Sequence, residues 1–134
     1  MTNEAVIIEL LGNNGDSIRY TCNDPTGIEK GTILTLLDNR TVSGAIATTT
    51  GIAVAGIANA EKVASDGSSS IGVYTNGIFD LYAAGAINVG EAVTISGANS
   101  IRQATASEVL SGAKIGYALE TASVAETIAV RVNL

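Results

Sequence analysis

The chain has 134 residues and a mass of 13.5 kDa, which suits one domain, and 46% of its residues are hydrophobic while only 15% are charged. It has a net charge of −6, no histidine and one cysteine, so a zinc site of the Cys/His type is excluded. Its seven Lys and Arg residues are scattered along the chain, without the cluster that nucleic-acid binding requires, and no apolar run approaches the roughly 18 residues of a membrane helix.

The low charge leaves two interpretations of the surface. A small monomeric β domain would expose Thr, Ser, Asn, Gly and apolar groups to water, whereas an oligomer or larger assembly would cover them. The N-terminus lacks a basic segment and carries Glu4 and Glu9, so no signal peptide is predicted and we expect synthesis in the cytoplasm. The single cysteine, Cys22, fits a reducing compartment.

The N-terminal segment, residues 1–27, is predicted to be a hairpin or an arm. A first strand runs from Val6 to Leu11 and is followed by a turn at 12–15 that contains two asparagines and two glycines. A second strand, from Ile18 to Cys22, is a candidate partner for the first in a hairpin. The next turn, 23–27, contains Pro25, which favours turn geometry.

Short β-rich runs continue through the middle of the chain. We predict a strand from Gly31 to Leu37 that is buried on both faces, and one helical turn from Ala60 to Ser65. A hairpin is predicted around Asn76-Gly77, because this dipeptide is the strongest short hairpin signal. The other predicted strands of this part are Thr41 to Thr48, Gly51 to Ala58, Val73 to Tyr74 and Ile78 to Tyr82.

The last third has the clearest local signals. Thr105 followed by Glu108 has the spacing of a capping box, which predicts a short helix ending before Gly112. Other expected features are a turn at Asn88-Val89-Gly90 and strands at Ala92 to Ile95, Ile101 to Gln103 and Ala113 to Thr121, the last with Ile115, Tyr117 and Leu119 on one face. The final segment alternates, which places Ile128, Val130, Val132 and Leu134 inward.

Together these elements predict a mainly β fold: a small Gly-rich β-barrel or sandwich-like domain with one short helix. The segment Gly31 to Leu36 resembles Gly90 to Ile95, and Val54 to Ala58 resembles Lys114 to Ala118, both about 60 residues apart. A true internal repeat would give two similar β units that close one barrel. Frequent use of Gly and Ala is the alternative source of this match.

No group of residues points to catalysis, a metal or a cofactor. The acidic residues are dispersed and lack calcium-loop spacing, and the Gly-rich loops lack the Lys-Ser/Thr ending of a phosphate-binding loop. Cys22 has no cationic neighbour in sequence and is predicted to be a buried or edge-strand thiol. We therefore predict a protein that is not an enzyme and has no small-molecule substrate, with no nucleic-acid or membrane partner.

The order of several motifs does point to a family. A Gly-led strand beginning at Lys30-Gly31 precedes Ala53 to Ala58, and the block from Gly72 to Val93 follows. Lys114 to Ala118 and the closing run from Ile128 to Leu134 come last. Over roughly residues 28–134 this set resembles the capsid cement, or head decoration, proteins of tailed phages.

The resemblance implies a β-barrel-like domain at 28–134 that sits on the virion as a homotrimer. It would bind the outside of the expanded capsid and clamp neighbouring major capsid protein subunits. The N-terminal segment would contact the capsid or a neighbouring protomer, and we name Val6, Ile8, Leu10, Asn13 and Asn14 as its interface residues. The alternative function is a carbohydrate-type ligand-binding β module of a surface or tail-associated protein, which would need exposed aromatic side chains.

Overall fold

The computed structural model describes residues 2–10, 17–46 and 52–134, and these residues form eleven β-strands and one short helix. The first strands are β1 (Val6–Leu10), β2 (Ile18–Cys22), β3 (Ile33–Asp38), β4 (Thr41–Gly44), β5 (Val54–Ala58) and β6 (Ser70–Tyr74). They are followed by β7 (Asn76–Ala83), β8 (Ala92–Ile95), β9 (Ser100–Gln103), α1 (Ala106–Ser111), β10 (Gly116–Ala118) and β11 (Thr127–Asn133). The predicted fold class, mainly β with one short helix, is confirmed.

The strands close two barrels that follow each other along the chain. Strands β2, β4, β3, β5 and β6 form the first barrel in that order. Strands β7, β11, β10, β8 and β9 form the second, which closes where β7 pairs with β9. Strand β1 joins the outside of the second barrel by pairing with β7. The predicted barrel is therefore present, but each half of the chain closes its own.

The two barrels have the same order of strand pairing, and most of the paired residues correspond. Leu34 of β3 pairs with Gly56 of β5, and about 60 residues later Val93 of β8 pairs with Gly116 of β10. The remaining antiparallel pairs correspond in the same way: β3–β4 with β8–β9, β2–β6 with β7–β11, and β5–β6 with β10–β11. Even the isolated bridge between Ile28 and Lys62 has its counterpart between Ile87 and Ala122. The internal repeat suggested by the sequence is therefore real.

A glycine is required at the same place in each barrel. A Cβ atom on Gly56 would overlap the carbonyl oxygen of Tyr74, and one on Gly116 would overlap the carbonyl oxygen of Arg131. Both oxygens belong to the neighbouring strand of the respective barrel. The Gly in each copy of the repeated motif is therefore set by close approach of two backbones.

Two hydrophobic clusters explain the burial pattern. One lies within the first barrel and includes Cys22, Leu34 and Val73. The other fills the second barrel and extends to Ile33 and Ile57 of the first. Because neighbouring strand residues face opposite sides, Leu34 enters the first barrel while Ile33 packs between the barrels. This explains why the beginning of β3 is buried on both faces.

Asn99 connects the two barrels and the N-terminal segment. It is 3% exposed, and its side-chain Oδ1 accepts a hydrogen bond of 2.6 Å from the backbone N–H of Ile33. Its Nδ2 donates to the carbonyl oxygens of Asn3, at 2.6 Å, and Gly31, at 2.9 Å. The backbone of Asn99 has a φ of 50°, a left-handed conformation that Asn adopts more readily than most residues. One amide thus satisfies three backbone groups from two distant segments.

Two predicted hairpins are wrong. In the described residues β1 pairs with β7, whereas β2 pairs with β4 and β6, so β1 and β2 do not pair with each other. Asn76-Gly77 lies inside β7 rather than in a turn, and β6 and β7 belong to different barrels. The chain passes from one barrel to the other at Thr75, so the local turn signal is overridden by pairing with distant strands.

Some side-chain orientations also differ from the predictions. Leu36 and Leu37 at the end of β3 are exposed, so that strand is buried on both faces only in its first half. Tyr117 and Leu119 are exposed because the close approach at Gly116 places Gly116 and Ala118 on the inward face of β10.

Three further predictions concern connecting or terminal residues. Residues 60–65 form a bridge at Lys62 and a turn rather than a helical turn. Leu134 follows the end of β11 and is 44% exposed, whereas Ile128, Val130 and Val132 are buried as predicted. The predicted strands Thr41 to Thr48 and Gly51 to Ala58 are shorter in the described part, and residues 47–51 lie outside it.

We expect Asn99→Gly to lower the free energy of unfolding by about 2 kcal/mol or more, because the buried N–H of Ile33 loses its acceptor. Glycine tolerates the left-handed backbone, so the change isolates the lost hydrogen bonds. Denaturant unfolding measures the effect. Ser65→Gly is the matched control, since Ser65 is exposed and has a φ of 57°; it should change stability by less than about 0.5 kcal/mol. Equal losses in both variants would contradict the role of the amide.

Gly116→Ala is expected to destabilise the protein by about 3 kcal/mol, since the new methyl group can be accommodated only if β10 and β11 move apart. The control is Gly85→Ala, where the added methyl group meets open space. Thermal unfolding of the two variants gives the comparison. A normal melting temperature for Gly116→Ala would disprove the close approach.

Candidate assembly surface

The described residues provide no candidate for a catalytic or metal centre. They contain no group of three or more His, Cys, Asp or Glu residues arranged to hold a metal ion. Cys22 is buried, and this burial raises the pKa of its thiol, which makes it a poor nucleophile. The predicted buried thiol is confirmed. Among the described residues there is also no helix with the length and apolarity that a membrane crossing requires.

The buried Lys62 is held in a structural cluster. Its Nζ donates to the carbonyl oxygens of Asp24, at 2.8 Å, and Val63, at 3.0 Å. It also forms ion pairs with the carboxylates of Asp24, at 3.3 Å, and Asp66, at 3.0 Å. Burial alone would lower the pKa of Lys62, but the hydrogen bonds to the two carboxylates outweigh it and raise the pKa. Lys62 therefore stays charged and links the loop at Asp24 to the loop at Val63 and Asp66 in the first barrel.

The N-terminal strand presents apolar side chains to solvent. Val6 is 51% and Ile8 is 54% exposed, while Ile7 packs against the core of the second barrel. A β-bulge between Ile7 and Glu9 inserts one residue into β1. The bulge shifts the alternation, so that Leu10 packs against the core instead of following Val6 and Ile8. Of the three apolar residues named from the sequence, Val6 and Ile8 are therefore exposed, whereas Leu10 is partly buried against the core.

The two asparagines named with them, Asn13 and Asn14, lie outside the described residues. Sequence reasoning missed other exposed apolar side chains. The most exposed ones are on β3, on α1 and in the connecting loops: Leu37, Ile46, Val89, Leu110 and Val124. Their exposure follows from pairing and packing between distant segments, for which a single sequence gives no signal.

Helix α1 is a small, firmly held projection. The predicted capping box is present: the Thr105 hydroxyl accepts from the Glu108 N–H, and the Glu108 carboxylate accepts from the Thr105 N–H at 2.9 Å. Gly112 ends the helix in a left-handed conformation. Arg102 of β9 donates from both Nη atoms to Glu108, at 2.9 and 2.6 Å. None of the helical residues is buried, and Leu110 is 88% exposed.

The Arg102–Glu108 pair is also the clearest electrostatic feature. Hydrogen bonds from Arg102, followed by the backbone N–H of Thr105, lower the pKa of Glu108 to about 2. The side chain of Glu108 is 14% exposed, so solvent screens this pair only partly. The ion pair fixes the orientation of α1 on β9.

The fold is a duplicated β-barrel whose described surface offers exposed apolar side chains and strand edges. Residues 12–134 match the phage cement protein family, so the chain belongs to that family. This membership gives the protein a structural role associated with the phage capsid, and confirms the resemblance found in the sequence.

A solved structure with a similar fold is that of the head fiber gp8.5 N base of bacteriophage phi29. The superposition has a TM-score of 0.55 at 14% sequence identity and covers 87% of this chain and 92% of that chain. At this identity the likeness concerns the fold alone. No curated protein sequence matches this chain significantly.

The depressed pKa of Glu108 makes α1 sensitive to acid. Because its folded-state pKa is about 2, below the ordinary value of 4.5, ionised Glu108 stabilises α1 above pH 4.5, and this contribution is lost as the pH falls towards 2. We expect Arg102→Gln to raise the pKa of Glu108, as measured by NMR titration of its carboxyl carbon. Arg131→Gln on β11 is the control and should leave that pKa unchanged. An unchanged value in Arg102→Gln would contradict the pairing.

Proposed function

We propose that the protein binds the outer surface of the expanded capsid as a homotrimer and clamps neighbouring major capsid protein subunits. The match of residues 12–134 to the phage cement protein family is the observation that carries this proposal. In the proposed role the protein is made in the host cytoplasm and acts on the exterior of the virion, without catalysis.

The surface of the protein supports this role. Val6 and Ile8 expose apolar side chains on β1, which has a strand partner on one side only among the described residues. Such an edge can extend a sheet into a partner through backbone hydrogen bonds. Apolar and backbone contacts also depend little on ionic strength, which suits a protein with only 15% charged residues.

A trimer would make a clamp from modest contacts. Three linked footprints act together, because the first contact raises the effective concentration of the other two. Each protomer then needs only a weak site. The exposed Leu110 on α1 is of this kind, since it offers one side chain rather than a deep pocket.

The carbohydrate-binding alternative gains no specific support. Sugar sites are built on exposed aromatic rings, and among the five aromatic residues only Tyr117 is exposed, at 43%. Phe79 is fully buried and packs against Tyr74 with ring centroids 6.0 Å apart.

We expect the protein to co-sediment with expanded heads of its own virus and to have a solution mass near three protomers. The double variant Val6→Ser/Ile8→Ser should bind heads at least tenfold more weakly, because it removes about 1 kcal/mol of apolar contact at each position. Val124→Ser, at an exposed position elsewhere on the surface, serves as the control. If the wild-type protein does not co-sediment with expanded heads, the proposed function is wrong.

A further inference from the structure

One edge of the first barrel lacks a strand partner among the described residues. Strand β2 pairs with β6 along most of its length, but with β4 only at Thr21 and Cys22. The N–H of Thr21 donates to the carbonyl oxygen of Arg40 on the β4 side. Since backbone groups alternate along a strand, the N–H and C=O of Arg19 point to this same side, beyond the end of the β4 pairing.

The internal repeat shows what occupies this edge in the second barrel. Strand β7 corresponds to β2, and it too pairs with its parallel neighbour at only two residues, Tyr82 and Ala83. The rest of that edge is covered by β1, where Val6 pairs with Asp80 and Ile7 with Phe79. The second barrel therefore shows that the corresponding edge, that of β7, accepts an added antiparallel strand.

The difference between the barrels is visible in the side chains. Phe79 under β1 is fully buried, whereas Ile18, which occupies the same place in the first barrel, is 46% exposed. Arg19 replaces Asp80, and Arg40 replaces Asn99, at the open edge. A depression of about 300 Å³ lies beside it, lined by Arg19, Tyr20, Thr21, Arg40 and Ser70.

A complementary edge is present on the same chain. Strand β1 has β7 on one side and no strand on the other among the described residues. It exposes Val6 and Ile8 and carries Glu9, also exposed, while Glu4 precedes it. The outer edge of β1 is thus apolar and acidic, whereas the edge of β2 is apolar and basic.

We propose that the open β2 edge of one copy binds the outer β1 edge of a second copy, so that the sheets of neighbouring protomers are continuous. This inference rests on the proposed homotrimer and specifies how it is held together. The two surfaces are different, so the contact is heterologous, and three copies can close a ring in which each gives one β1 edge and receives another. Val6, Ile8 and Ile18 are covered in the joint, and Glu9 faces the arginines.

Among the residues that the structure describes, no strand competes for the backbone of β2 at Arg19. The carbonyl oxygen of Arg19 is contacted by Nη2 of Arg40 at 3.4 Å, longer than an ordinary hydrogen bond. The guanidinium of Arg19 binds the hydroxyl of Ser70 at 3.0 Å in an exposed position. An incoming carboxylate is a stronger acceptor for either arginine than these neutral oxygens.

Charge reversal of both edges tests the proposal. Arg19→Glu and Glu9→Arg are each expected to shift the trimer–monomer midpoint at least tenfold to higher protein concentration, and the double variant should return it to within threefold of the wild type. Light scattering over a dilution series gives the midpoints. The controls are Lys114→Glu and Glu61→Arg, which change the net charge equally away from both edges and should leave the midpoint unchanged. Circular dichroism verifies that each variant is folded.

Each contrary outcome overturns the pairing. A wild-type protein that stays monomeric at every concentration has no such joint, and a trimer unaffected by Arg19→Glu is held by another surface. Loss of the trimer in both single variants without recovery in the double variant shows that these edges do not face each other. A charge-sensitive trimer that fails to co-sediment with expanded heads leaves the pairing intact and refutes only the proposed capsid role.

Discussion

The amide of Asn99 is the contact on which the arrangement of the whole chain depends. Its side chain joins a turn of the second barrel to the start of β3 in the first and to the N-terminal segment at Asn3. The bonded groups are far apart in sequence, so the amide holds together segments that no local sequence pattern connects. Because the site is buried, any rearrangement would leave backbone groups without water or protein partners. The relative position of the barrels is thereby fixed.

The duplicated barrels show which features the fold requires and which it leaves free. Most of the strand register, the close approach at Gly56 and Gly116, and the isolated bridges are the same in both halves. The surface has diverged: Asn99 is a buried connector in one barrel, and Arg40 in the corresponding turn lies near solvent with a similar φ of 50°. The two barrels therefore have equivalent strand pairing but different surfaces.

The sequence predicted best those elements whose signals are local. The capping box of Thr105 and Glu108 and the alternation through Ile128, Val130 and Val132 depend on neighbouring residues, and both are present. The internal repeat can also be detected in the sequence, because the close approach of two backbones requires a glycine in both copies. The predicted hairpin at Asn76-Gly77 is wrong, since the preference of two residues is smaller than the pairing energy of a seven-residue match between β7 and β11.

The exposed residues of the candidate surface were harder to predict, because they too depend on pairing between distant strands. Val6 and Ile8 were identified by their apolar character at a strand position, but the bulge that turns Leu10 inward follows from pairing with β7. The open edge at Ile18 and Arg19 depends on where β4 begins relative to β2. A single sequence specifies which residues are apolar, while the partner strand decides which of them remain uncovered.

The pairing of β1 with β7 has a consequence for the order in which the protein folds. Every strand of the first barrel lies before residue 75, so that barrel can close while later residues are still being synthesised. Strand β1 emerges first, yet its partner is made about 70 residues afterwards. During this interval β7, the strand against which β1 pairs in the folded protein, does not yet exist. A β1 strand that is still unpaired can pair with the β7 of another chain whose own β1 has not yet docked, so this topology permits strand exchange between copies.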